Sequence, residues 1–84
     1  MEERVVDLEA AVRVGDHELI PIAGTVGRPV VRSDGLLVAM VREALGVIVR
    51  DRSGLRVLLA DGRELTVEQL VAEYPTVASD VSSL

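Results

Sequence analysis

Residues 36–50, "LLVAMVREALGVIVR", decide what kind of fold this chain can make. With a helical period, Leu37, Met40, Val41, Ala44 and Leu45 share one face, and Ser33 or Asp34 stands where the helix would be entered. With an extended period, Gly46 followed by Val47, Ile48 and Val49 favours a strand-like ending. The reading adopted is one long strand bent near Gly46, with a helix over residues 36 to 45 as the alternative. In either form this is the longest predominantly apolar run in the chain, broken only by Arg42 and Glu43, and apolar residues fall on more than one of its faces.

Toward the C-terminus, "RDRSG" reads as a turn and "LRVLLA" as a strand. Asp61-Gly62 is a two-residue type I′ hairpin signal that would set Val57 opposite Thr66, Leu58 opposite Leu65 and Leu59 opposite Glu64. On that register Leu55, Val57 and Leu59 enter the core, whereas Leu58, Leu65 and Val67 lie on the reverse face and need a cover. A helix supplies it: Thr66 as N-cap and Gln69 three residues on form a capping box, Val67, Leu70, Val71 and Tyr74 fall on one face, and Pro75 stops the helix. Residues 1 to 75 are therefore expected to form a single domain, and residues 76 to 84 a flexible tail.

Toward the N-terminus, Val6, Leu8, Ala10, Val12 and Val14 alternate with Asp7, Glu9, Ala11 and Arg13, the period of a half-buried strand. Gly15-Asp16 then turns the chain and places Arg13 opposite Glu18 and Val12 opposite Leu19. Pro21 has no amide to donate, so the next strand should be an edge or be bulged near it. "AGTVGRP" reads as turn-rich, Pro29 to Arg32 as a short strand and "RSDG" as another turn. The expected fold is mainly β: a small antiparallel β-barrel or rolled sheet with one short C-terminal helix.

From Gly27 to Leu70 the order "GRPVVRSDG", a long apolar strand, "GVIVRDRSGLRVLLADGREL" and "TVEQL" resembles the PRC-barrel family. The resemblance covers about half the chain, rests on turn residues and apolar alternation, and implies a small β-barrel that binds partner proteins or assembles with itself. It carries over no catalytic residue.

Composition points the same way. A single domain of 84 residues buries only about 60 to 65% of the surface its unfolded chain exposes. There is no Cys for a disulfide or thiolate metal site, no Phe or Trp, and Tyr74 is the one aromatic residue, yet 49% of residues are hydrophobic. Part of that apolar surface is expected to be closed by a second copy, giving a homodimer, or by another protein. The interface residues expected are Leu37, Met40, Val41, Leu45 and Val47. The net charge is −5 and all nine basic residues are Arg. With no basic stripe and no aromatic platform, nucleic-acid binding is not expected. No basic segment precedes an apolar run at the N-terminus and no apolar run reaches about 18 residues, so the expectation is a cytoplasmic protein without a membrane span.

Few residues could carry chemistry. His17 between Asp16 and Glu18 suggests metal ligation or a general base, the alternative function being a small-ligand or metal-binding barrel built on His17 and nearby carboxylates. Neighbours in a strand point to opposite faces, however, and there is no second His. Asp7 and Glu9 share one strand face and read as solvated. Arg50, Arg52 and Arg56 could hold a phosphate, but Asp51 among them makes a locally neutralised loop the preferred reading. No catalytic residue, cofactor or metal site is assigned, and the expected function is a non-catalytic interaction or assembly module.

Overall fold

A computed structural model describes residues 3 to 84, apart from the side chains of residues 3, 28, 30 and 36 to 38. Six strands form one antiparallel sheet: β1 Glu3–Leu8, β2 Val12–Val14, β3 His17–Arg32, β4 Gly35–Asp51, β5 Gly54–Leu59 and β6 Glu64–Leu65. The order is β1-β3-β4-β5-β6, with β2 also on β3. The helices α1 Val67–Glu73 and α2 Ala78–Ser82 follow, joined by a 3₁₀ turn at Pro75–Val77.

The deciding stretch is strand throughout. Residues 35 to 50 pair with residues 18 to 32 of β3, and the register shifts at Ile22/Ala23, where Ile22 faces Gly46 and Ala23 faces Ala44. Leu45 is thus the extra residue of a bulge beside Gly46, where the bend was expected. A closed barrel is not formed: among the described residues the sheet is open, with β1 and β6 at its two ends.

Several expectations need correction. "AGTVGRP" is not a turn region but the middle of β3, paired with β4 throughout and, over residues 23 to 27, with β1 on the other side. Two-sided pairing overrides the local glycine and proline signals. The alternating run Val6 to Val14 is two strands, broken at residues 9 to 11. Pro21 explains the break. Its carbonyl accepts from the Glu9 amide at 2.9 Å, so its donor-free nitrogen faces this side of β3 and cannot extend the ladder. Leu8 pairs with Ile22 and Val12 with Leu19, which leaves three residues opposite two and turns Val12 and Val14 to the other face of the sheet. The Gly15-Asp16 hairpin has the expected register, with Arg13 opposite Glu18.

The second hairpin is shifted by one residue from the expected register: Val57 faces Leu65 and Leu58 faces Glu64. The Leu59 amide donates to Arg63 O and the Gly62 amide to Leu59 O, so the loop has three residues with Gly62 at φ +93°. The slip turns Leu65 toward the core, where it packs with Val67, and leaves Leu58 on the reverse face. A β-branched residue tolerates positive φ poorly, so Gly62→Val should destabilise the protein by about 1 kcal/mol or more, measured by urea unfolding. Unchanged stability would refute this loop geometry.

The core lies on one face of the sheet. Ile20, Ile48 and Val57 stand opposite one another on β3, β4 and β5, with Val6, Ile22 and Leu59 around them, and Leu70 and Val77 close over the top. The capping box of α1 forms as expected, Thr66 Oγ1 accepting from the Gln69 amide at 3.1 Å and Gln69 Oε1 from the Thr66 amide at 2.9 Å. Thr66→Ala should cost about 1 kcal/mol, read as a lower melting temperature. Residues 76 to 84 are not a free tail. Val77 is fully buried, Thr76 Oγ1 donates to Val6 O at 2.7 Å, and the Leu8 amide donates to Asp80 Oδ2 at 3.3 Å.

The molecule measures 55 × 26 × 25 Å, and sixteen residues at about 3.3 Å each make the β3–β4 ribbon about as long as the molecule. β1 accompanies β3 only as far as Gly27, and β5 accompanies β4 only from Gly46 onward. Among the described residues, 28 to 39 are therefore a two-stranded arm.

Candidate functional site

Cross-strand partners share a face, so the registers sort every strand residue to one side of the sheet. The helices cover the side that holds Ile20, Ile22 and Ile48. The reverse side carries Val5, Val12, Val14, Leu19, Pro21, Val31, Met40, Val47, Val49 and Leu58. Nine large hydrophobic residues are conspicuously exposed among those described, and six of them, Val5, Val12, Val14, Val31, Met40 and Leu58, lie on this reverse face. Val31 at 86%, in the arm, and Met40 at 66%, at its base, are the most exposed. The concentration on one face sets it apart from the scattered apolar exposure of an ordinary surface.

One polar cluster interrupts this face. The Arg42 guanidinium donates to Asp7 Oδ1 at 2.7 Å, Glu9 Oε1 at 3.0 Å and Thr25 Oγ1 at 2.7 Å. The Asp7 bond and then the Glu9 bond hold Arg42 above its ordinary pKa. Asp7 and Glu9 thus form an ion-paired cluster with a cation from β4 rather than a pair of free carboxylates.

The expected interface residues separate. Met40 and Val41 are exposed, Val47 is half-buried on the reverse face, and Leu45 is half-buried against the core. The side chain of Leu37 lies outside the described residues. Val5, Val12, Val14, Val31 and Leu58 were missed. The facing of Val12 and Val14 depends on the break at residues 9 to 11, which alternation alone does not reveal, whereas Leu58 was expected on the reverse face but under a helix that lies on the other side.

His17 stands opposite Val14 at the end of β3, half-exposed, with Nε2 3.9 Å from Asp51 Oδ2. Asp51 is already engaged by the Ser53 amide at 2.8 Å and by Arg56 at 3.6 Å. An open depression of about 230 Å³ lies between Asp16, His17, Asp51, Arg52 and Ser53. Among the described residues no three His, Cys, Asp or Glu side chains converge as a metal site would require. The neighbouring depression of about 340 Å³ is lined by Arg13, Arg50 and Arg52 and by Asp16, Glu18 and Asp51, so its charges balance. Arg50 lies 3.3 Å from Glu18, as a neutralised loop requires.

Neither protein-family models, curated proteins nor solved structures match this chain. Among the described residues no helix is long and apolar enough to cross a membrane.

Proposed function

We propose that this protein is a non-catalytic assembly module that associates with a second copy of itself through the apolar surface of the β3–β4 ribbon. The observation that carries this reading is the gathering of six exposed large hydrophobics on the reverse face of one sheet. The chain has too few elements to cover both faces, since both helices lie on the other side. A symmetric partner offers the same apolar patch in return. The PRC-barrel resemblance supports the same class, small β modules that bind partners or self-assemble. The cytoplasm is the proposed compartment.

The ligand-binding alternative draws on His17, which has one carboxylate beside it and no described set of further ligands. Light scattering at micromolar concentration is expected to show a dimer, and Met40→Glu to give a folded monomer. A wild-type monomer whose melt does not depend on concentration would reject self-association.

A further inference from the structure

We infer that the two copies join through the free edge of β4, residues 36 to 44, paired antiparallel with itself so that Met40 of one copy lies opposite Met40 of the other. The inference rests on the self-association proposed above and places its contact at a strand edge, which lays the two apolar reverse faces side by side rather than packing one on the other.

An unpaired strand edge presents a row of amides and carbonyls that template another strand, and folded proteins commonly protect such edges. The longer of the other edges are protected, and β2 and β6 have only three and two residues. The outer edge of β1 is capped from the C-terminal segment, where Val6 O accepts from Thr76 and the Leu8 amide donates to Asp80. The free end of β3 carries Pro29. Pro21 turns its backbone groups away from β4, as its bond from Glu9 shows, and Pro29, eight residues on in an uninterrupted strand, does the same, so a donor is missing from that edge. β6 borders β5 beside α1. On β4, β5 pairs from Gly46 onward and Ala60 donates to Leu45 O, which leaves residues 36 to 44 without a described partner on that side. No proline interrupts them.

The direction of the free groups follows from the register. Pro29 faces Val38, and both residues of a pair that exchanges no hydrogen bonds point outward. The backbone groups of Val38, Met40 and Arg42 therefore face the open edge. In a two-fold pairing centred on Met40, all nine residues 36 to 44 are used, Met40 bonds to its own copy and Val38 to Arg42. Centring on Arg42 or Glu43 would oppose like charges, and centring on Val38, Ala39 or Val41 would leave part of the edge unpaired. Opposed residues share a face, so the two apolar reverse faces become continuous and the Met40 side chains meet.

The chain has no cysteine, so a single introduced one reports on the contact. In a hydrogen-bonded antiparallel pair the Cα atoms are about 5.5 Å apart, within disulfide reach. Mild oxidation of Met40→Cys is expected to yield a covalent dimer of twice 9.0 kDa, while Val12→Cys, exposed on the same face but far from the edge, stays uncross-linked. Met40→Pro removes an outward donor and should weaken the dimer about tenfold or more, against a smaller loss for Met40→Ala. A wild-type dimer whose Met40→Cys form does not cross-link, or cross-links no faster than Val12→Cys, would overturn edge pairing and leave self-association standing. A dimer unaffected by Met40→Pro would do the same. A wild-type monomer would overturn both.

Discussion

Gly46→Ala is expected to be among the most damaging single-methyl additions this fold can suffer. A Cβ at residue 46 would lie 2.4 Å from Leu58 O and 2.9 Å from Leu59 Cα, both backbone atoms of the neighbouring strand. Gly46 pairs with Ile22 on one side and Leu59 on the other, so the clash can be relieved only by parting β4 from β5 at the edge of the core. Overpacking into a core typically costs about 1 to 3 kcal/mol, and a clash with paired backbone belongs at or above the top of that range. A loss of about 3 kcal/mol lowers the melting temperature of a domain this size by about 12 to 24 °C. Gly24→Ala is the control. Its Cβ would meet Leu45 Cδ1 at 3.2 Å and Arg4 side-chain atoms at 3.5 Å, ends of flexible chains that can move aside. A change below about 1 kcal/mol is expected there. Equal losses at the two glycines, measured by thermal melts at one protein concentration, would show that the β4–β5 approach is not what excludes a side chain.

The same glycine shows what was legible. Gly46 and the β-branched run after it identified the central strand and its bend, because a bulge leaves a local mark in sequence. The capping box on Thr66 and Gln69 was equally readable, since both bonds close within four residues. The misreadings arose where one local signal serves two geometries. Asp-Gly suits a two-residue loop and a three-residue loop alike, and the single residue between them decides which face Leu65 occupies. Gly24 and Gly27 look like turn residues until β1 and β4 are known to flank them, and Pro29 until it is known to pair with β4. The candidate surface was readable at Met40, within the long apolar run, whereas its neighbour Val41 is exposed on the opposite face. It was hidden at Val12 and Val14, which change face because of a proline seven or more residues away that pairs opposite the break in their strand.

Deleting residues 76 to 84 should cost several kcal/mol, although their sequence reads as a disposable end. The helix Ala78–Ser82 has five residues and no side-chain cap, too short to persist alone, so its order comes from what it covers. Val77 is completely buried in the main cluster, and Val81 packs against it. Losing the Val77 side chain alone forfeits about 1.5 to 3 kcal/mol of burial, before the apolar wall it leaves on Val6 and Leu70 is counted. The deletion also strips Val6 O of Thr76 and the Leu8 amide of Asp80, bonds worth about 0.5 to 1.5 kcal/mol each. The expected sum is about 4 kcal/mol, a large part of the stability of a domain this small. Urea unfolding of the truncated chain should show the midpoint falling well below that of the full chain. Val77→Ala, which leaves both hydrogen bonds in place, should lose roughly half as much. A truncated chain as stable as the full one would mean that the sheet closes its own core. The uncapped edge of β1 gives a second readout, because it then becomes a free edge beside that of β4. The truncated chain should therefore aggregate through strand pairing at concentrations where the full chain stays a discrete oligomer. Deletion combined with a proline in β1 at Val6, whose outward amide bonds to no other strand, should suppress that aggregation without restoring the lost stability.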